Sequence, residues 1–207
     1  MHIQDGILPL PVIVAGSIGA AAAVGVGLAR MSEREMVKVA VLSSSLFVAS
    51  QIHITFGAAS VHLILNGLSG LLLGWSIYPA LAVALLLQAI LFSHGGVSTL
   101  GINALVTGTP GLICYYLFRG PVQRSEGKRL YAVGFVAGAL GILLGALIQA
   151  AVLLSAGQSF VAVAGAALLA HIPIMIAEGF ICGSAVGFLR RVRPETLATG
   201  RLTREAA

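Results

Sequence analysis

The stretch LYAVGFVAGALGILLGALIQAAVLLS, Leu130 to Ser155, decides the fold, because no charged side chain interrupts it. A helix rises about 1.5 Å per residue, so roughly 20 apolar residues cross the hydrocarbon core of a bilayer. Residues 130–155 are long enough to cross with some tilt. The same logic extends to six further segments: about Leu8–Leu28, Met36–Ile52, Val61–Gly74, Ile77–Phe92, Thr99–Phe118 and Phe160–Leu189. The third and fourth are short and share the weak break GWSIYP, and Pro173 is the expected kink point of the last.

Composition agrees. The 207 residues are 58% hydrophobic and only 9% charged, against about 25% charged in soluble domains. Such a chain cannot cover a water-facing surface. The expected class is an all-α integral membrane protein with about seven transmembrane helices. Residues 1–189 read as a single membrane domain that includes an external amino-terminal segment, 1–7, and residues 190–207 read as a basic tail. Cys114 and Cys182 both lie inside apolar segments and read as packing residues. Gly134–Gly138, Gly141–Gly145 and Gly183–Gly187 are GxxxG steps, read as close helix packing inside the bundle.

Charge position sets orientation. Lys and Arg fall in three clusters: Arg30, Arg34 and Lys38; Arg119, Arg124, Lys128 and Arg129; and Arg190 onward. The intervening loops near His53–Ser60, SHGGVS and Gly157 carry none. By the positive-inside rule the amino terminus is expected outside and the carboxy terminus in the cytoplasm. The pI near 9.8 thus reflects orientation, not nucleic acid.

The opening MHIQDG then acquires chemical meaning. It has no basic cluster or cleavage pattern of a signal peptide, so Met1 is expected to carry a free amine. The amine and the His2 amide nitrogen would close a five-membered chelate ring on a metal. The amide and the His2 Nδ1 would close a six-membered ring. Three coplanar nitrogens suit Ni(II), Cu(II) or Co(II) better than tetrahedral Zn(II). An imidazole from the same face would fill the fourth corner, and His53, His62 and His94 all lie near that face. Asp5-Gly6 reads either as a turn or as a group orienting His2. His171 and Glu178, two turns apart on one helix, read as a structural hydrogen-bonding pair or a proton relay.

MHIQDGILP resembles the opening of the cobalt/nickel substrate-capture subunits of energy-coupling-factor transporters. SVHLILNG, LLLQAILFSHGGVSTLGINA and HIPIMIAEGF resemble that family's later stretches, in the same order. The resemblance implies a prokaryotic inner-membrane protein that binds Ni²⁺ or Co²⁺ as transported substrate. It implies ligands from the Met1 amine, the His2 amide and ring, and His62. Asp5, His94 and Asn103 would stand behind them. Implied partners are a membrane coupling subunit, cytoplasmic ATPase subunits and a small accessory membrane subunit. The chain has no GxxxxGK[ST] phosphate loop of its own. Gln4 and Ala58-Ala59 depart from the family pattern without removing a donor. The competing class is a self-sufficient, proton-coupled metal transporter. An intramembrane metal hydrolase is disfavoured because no HExxH pairing occurs.

Overall fold

A computed structural model describes residues 2–56, 59–157 and 160–197. In lipid every backbone N–H and C=O must be paired within the protein, so apolar segments are forced into helices. Seven α-helices are described: α1 (Leu10–Ala29), α2 (Glu33–Ala49), α3 (Asn66–Leu73), α4 (Ile77–Phe92), α5 (Leu100–Arg124), α6 (Gly127–Leu154) and α7 (Val161–Val192). Ser32 caps α2, its backbone N–H donating to the Glu35 carboxylate at 3.0 Å. Exposure is inverted relative to a soluble domain. Ile18 and Leu169 are among the most exposed side chains, whereas Asn66, Asn103 and Glu178 are buried. Apolar groups outside and polar groups inside are what a lipid solvent selects.

Among the described residues, five helical stretches are long and apolar enough by length and composition to cross a membrane: Leu10–Ala29, Asn66–Phe92 with α3 and α4 taken together, Leu100–Arg124, Gly127–Leu154 and Val161–Val192. The expected third crossing, Val61–Gly74, is corrected. Its first residues belong to an antiparallel hairpin, β1 (His53–Phe56) with β2 (Ala59–His62), registered His53 to His62. Only the eight residues of α3 are helical, about 12 Å of rise, too short to cross. Apart from this short hairpin the regular structure among the described residues is helical, as an all-α membrane protein requires.

The α3 half-helix is wholly buried. A Cβ on Gly70 would lie 2.0 Å from the Gly111 carbonyl oxygen of α5, and one on Gly67 would lie 2.6 Å from the Ala137 carbonyl of α6. Asn66 reaches the Gly141 carbonyl with its amide at 3.1 Å. Gly74, at φ +55°, then breaks the helix, and a short 3-10 turn through Ser76 leads into α4. α4 returns past the same helix in the opposite sense, since Gly111 packs on Ile77 and Gly108 on Tyr78 and Leu81. GWSIYP is therefore a reversal, not a weak break.

The GxxxG steps mostly serve this internal packing. Gly134 abuts Gly183, Gly138 abuts the Glu178 carbonyl and Gly141 abuts Asn66, whereas Gly187 faces open space. α7 runs through Pro173 as one helix. Both cysteines are buried and free, as packing residues should be.

The basic clusters meet at one end of the bundle. Arg30 stacks on Trp75 at 5.1 Å, and the Trp75 indole N–H donates to the Tyr116 hydroxyl at 2.9 Å. Arg190 donates to the carbonyls of Val122, Gln123 and Ser125, capping the end of α5 from the end of α7.

Candidate functional site

The first residues would ordinarily fray. Here they enter the bundle. Ile3 and Leu8 are buried in the same apolar cluster as Ile64, Ile102, Val106 and Ile142. Burying two such side chains stabilises docking of this end by roughly 1.5–3 kcal/mol each.

A buried peptide must also satisfy its backbone, and Asn103 on α5 does this. Its Oδ1 accepts the Ile3 N–H at 2.9 Å, and its Nδ2 donates to the Ile3 carbonyl at 2.9 Å. The Thr99 hydroxyl donates to that same carbonyl at 2.9 Å. Asn103 therefore grips the backbone immediately after His2. Asp5 accepts hydrogen bonds from the Ser98 hydroxyl and from the Thr99 backbone N–H. These bonds, the Ser98 one foremost, hold its carboxyl below the usual carboxylate range. Asp5 thus ties the segment to the α4–α5 turn. Gly95 and Gly96 allow the close approach: a Cβ on Gly96 would fall 2.0 Å from the Asp5 carboxylate.

The clamp sets the His2 ring 4.6 Å from the His62 ring, nearly parallel, and 6.4 Å from the His94 ring. His62 ends β2, and its Nδ1 lies 2.9 Å from the Leu63 carbonyl. A carbonyl only accepts, so Nδ1 carries the proton and Nε2 keeps a lone pair. Burial pushes His2 down to about 3 and holds His62 well below its ordinary value. Both rings are neutral at pH 7, the state a metal ligand requires. With His2 and His62, the side chains of Gln88 and Thr107 help line a cavity of about 10 Å³.

The loop that presents His62 is held from α7. Glu178 accepts the backbone N–H groups of Ile64 and of Leu65, the latter at 2.7 Å. Leu65 sits at φ +54°, a left-handed conformation unusual for leucine. His171 bonds its own helix, Nδ1 lying 2.6 Å from the Ala167 carbonyl. Glu178 and His171 thus engage different partners.

His2 and His62 are therefore together, with the His94 ring 6.4 Å from that of His2 and outside the cavity lining. Met1 lies outside the described residues. Asp5 and Asn103 hold the segment and not the cavity. Among the described residues no three His, Cys, Asp or Glu side chains converge as a metal cage. A chelate drawing on backbone nitrogens needs none. Thr99, Ser98, Gln88 and the Glu178 contact to the His62 loop were not evident beforehand. The one available signal was a polar Gln inside the apolar run LLLQAILF.

Relatives agree with this architecture. The family described as cobalt uptake substrate-specific transmembrane region, CbiM, matches residues 2–196. The chain belongs to the CbiM family. A putative metal transport protein of Haemophilus influenzae is 39% identical over 199 residues, covering 95% of this chain and 97% of that one. Cobalt transport protein CbiM of Sorangium cellulosum is 30% identical, covering 95% and 94%. A crystal structure of a transition metal transporter superposes with a TM-score of 0.79 at 22% identity, covering 98% of this chain and 99% of that one. That likeness shows a shared fold. This CbiM-family chain is a multi-pass membrane protein of metal transport.

Proposed function

We propose that this CbiM-family protein is the capture subunit of an energy-coupling-factor importer in a prokaryotic inner membrane, taking Ni²⁺ or Co²⁺ from outside. The Met1 amine, the His2 amide nitrogen and His2 Nδ1 supply three donors, and His62 supplies the fourth through Nε2. The observation carrying this reading is the clamp of Asn103 and Thr99 on Ile3, which fixes the His2 backbone inside the bundle beside His62. A terminal residue with no role would not bury its neighbour and bond it on both backbone groups.

Orientation follows from charge. Arg30, Arg119 and Arg190 gather at the end of the bundle remote from His2, and the positive-inside rule makes that end cytoplasmic. The site then opens outward. Energy comes from cytoplasmic ATPase subunits acting through a membrane coupling subunit, with a small accessory membrane subunit completing the assembly. Separate contacts for Glu178 and His171 favour structural roles over a proton relay.

The test adds one alanine before Met1 and measures Ni²⁺ binding to the purified protein by calorimetry. Binding should be lost almost completely, while a carboxy-terminal tag should leave it intact. Unchanged affinity in the extended protein would sink the chelate. Uptake by cells carrying the chain alone, equal to uptake with the ATPases present, would instead favour the self-sufficient transporter.

A further inference from the structure

The cavity beside His2 contains polar atoms with no work assigned. Both ring nitrogens of His2 are buried and, among the described residues, make no well-aligned hydrogen bond, although the Gln88 side chain already interacts with the ring. The side-chain carbonyl oxygen of Gln88 is likewise buried without a well-aligned bond. Gln88 lies one turn before the end of α4, is 3% exposed, and lines the same cavity as His2 and His62. Its place is fixed, because its backbone carbonyl accepts the His94 N–H at 3.2 Å and so closes the helix end.

A neutral imidazole carries one proton, on either nitrogen. Only with the proton on Nε2 does Nδ1 offer its lone pair to close a ring with the His2 amide. Histidine ligands generally give their remaining N–H to an oxygen, which fixes both tautomer and ring direction. Among the described residues Thr107 Oγ1 is the other unpartnered side-chain oxygen on the cavity wall, but a hydroxyl donates as readily as it accepts and selects no tautomer. An amide oxygen only accepts.

We propose that Gln88 is the positioning residue of His2: its Oε1 takes the Nε2–H of the ring when the cargo is bound, holding the Nδ1 lone pair on the metal. The inference rests on the chelate reading above. Gln88 touches no cargo itself. It acts through the ring, strengthening His2 as a donor and resisting its rotation out of the plane.

The experiment compares Ni²⁺ binding to the wild-type protein, Gln88→Leu, Gln88→Glu and the alanine-extended protein by calorimetry. It adds the ring N–H resonance of His2 in the ¹⁵N-histidine-labelled, nickel-loaded protein. Losing such an outer partner typically weakens metal binding about 10–100-fold, and Gln88→Leu should fall in that range. Gln88→Glu keeps an acceptor and should recover most of the affinity. The His2 Nε2–H signal should shift, and exchange faster with water, in Gln88→Leu. Merely repacking the cavity would move affinity in both variants but leave the proton's exchange alone. The proposal falls if Gln88→Leu binds within about threefold of wild type, or if the His2 N–H signal is unmoved. Loss of binding in the extended protein beside normal binding in Gln88→Leu would overturn the Gln88 role and spare the chelate. Retained binding in the extended protein would overturn both.

Discussion

Asn103→Ala isolates the clamp from the metal donors, because Asn103 bonds Ile3 and no proposed ligand atom. Ile3 is 1% exposed, so truncation strands its N–H away from water, at about 1–3 kcal/mol. The lost donor to the Ile3 carbonyl costs about 0.5–1.5 kcal/mol more, softened because Thr99 still donates there. Docking of the amino end should weaken by about 2–4 kcal/mol in all. At 1.4 kcal/mol per tenfold, Ni²⁺ affinity should drop about 30- to 700-fold. Thr99→Val removes one donor from a carbonyl that Asn103 still serves, so its loss should be only about 2- to 10-fold. Calorimetry on both variants, beside thermal scans showing that the helices remain folded, measures the ordering. A folded Asn103→Ala protein binding within threefold of wild type would refute the clamp. So would a Thr99→Val loss larger than the Asn103→Ala loss.

Three further outcomes follow from contacts elsewhere. Glu178→Leu strands the amides of Ile64 and Leu65, so it should cost several kcal/mol and abolish Ni²⁺ binding; Glu178→Gln keeps an acceptor and should retain most of it. Gly70→Ala puts a Cβ 2.0 Å from a backbone oxygen, whereas Gly187→Ala meets nothing within 4 Å. Melting of detergent-purified protein should therefore fall sharply in the first and stay unchanged in the second. His2 is pushed by burial from its ordinary 6.5 to about 3, so the docked end favours the neutral ring. That stabilisation is complete above pH 6.5 and fades as pH falls toward the depressed value. Thermal scans of metal-free protein should show less loss in acid for His2→Phe than for wild type.

Hydropathy made most of the helices legible, since α1, α4, α5, α6 and α7 follow the apolar runs to within a few residues at most of their ends. The error at Val61–Gly74 has a physical origin. A window of apolar residues reports burial, and burial in a bundle is compatible with strand, turn or half-helix once neighbours pair the backbone. Here Glu178 supplies that pairing from far along the chain, which no local pattern reveals. At the site the histidines were legible by their common face, and Asn103 by resemblance alone. Its task was not legible: Asn103 meets Ile3 across a hundred residues, and only the fold brings them together.

On the proposed chelate, the clamp would also explain how a chain end can serve as an effective metal ligand. Ordering the seven residues from His2 to Leu8 costs some 1–2 kcal/mol each, or about 7–14 kcal/mol. Burial of Ile3 and Leu8 returns about 3–6 kcal/mol, and the hydrogen bonds to Ile3 and Asp5 add about 2–5 kcal/mol. The two sides lie within a few kcal/mol of each other, so docking of the end is near balance without metal. Apparent affinity is the intrinsic affinity scaled by the docked fraction. When that fraction is near balance, each lost contact passes almost undiminished into metal binding. On the proposed chelate the same balance would make the cargo itself the deciding contact: metal held between His2 and His62 would tie the amino end to the hairpin. Nickel-loaded protein should then protect the backbone amide of Ile3 from hydrogen exchange far more than metal-free protein does. Equal protection in the two states would mean that the end is locked in before any metal arrives.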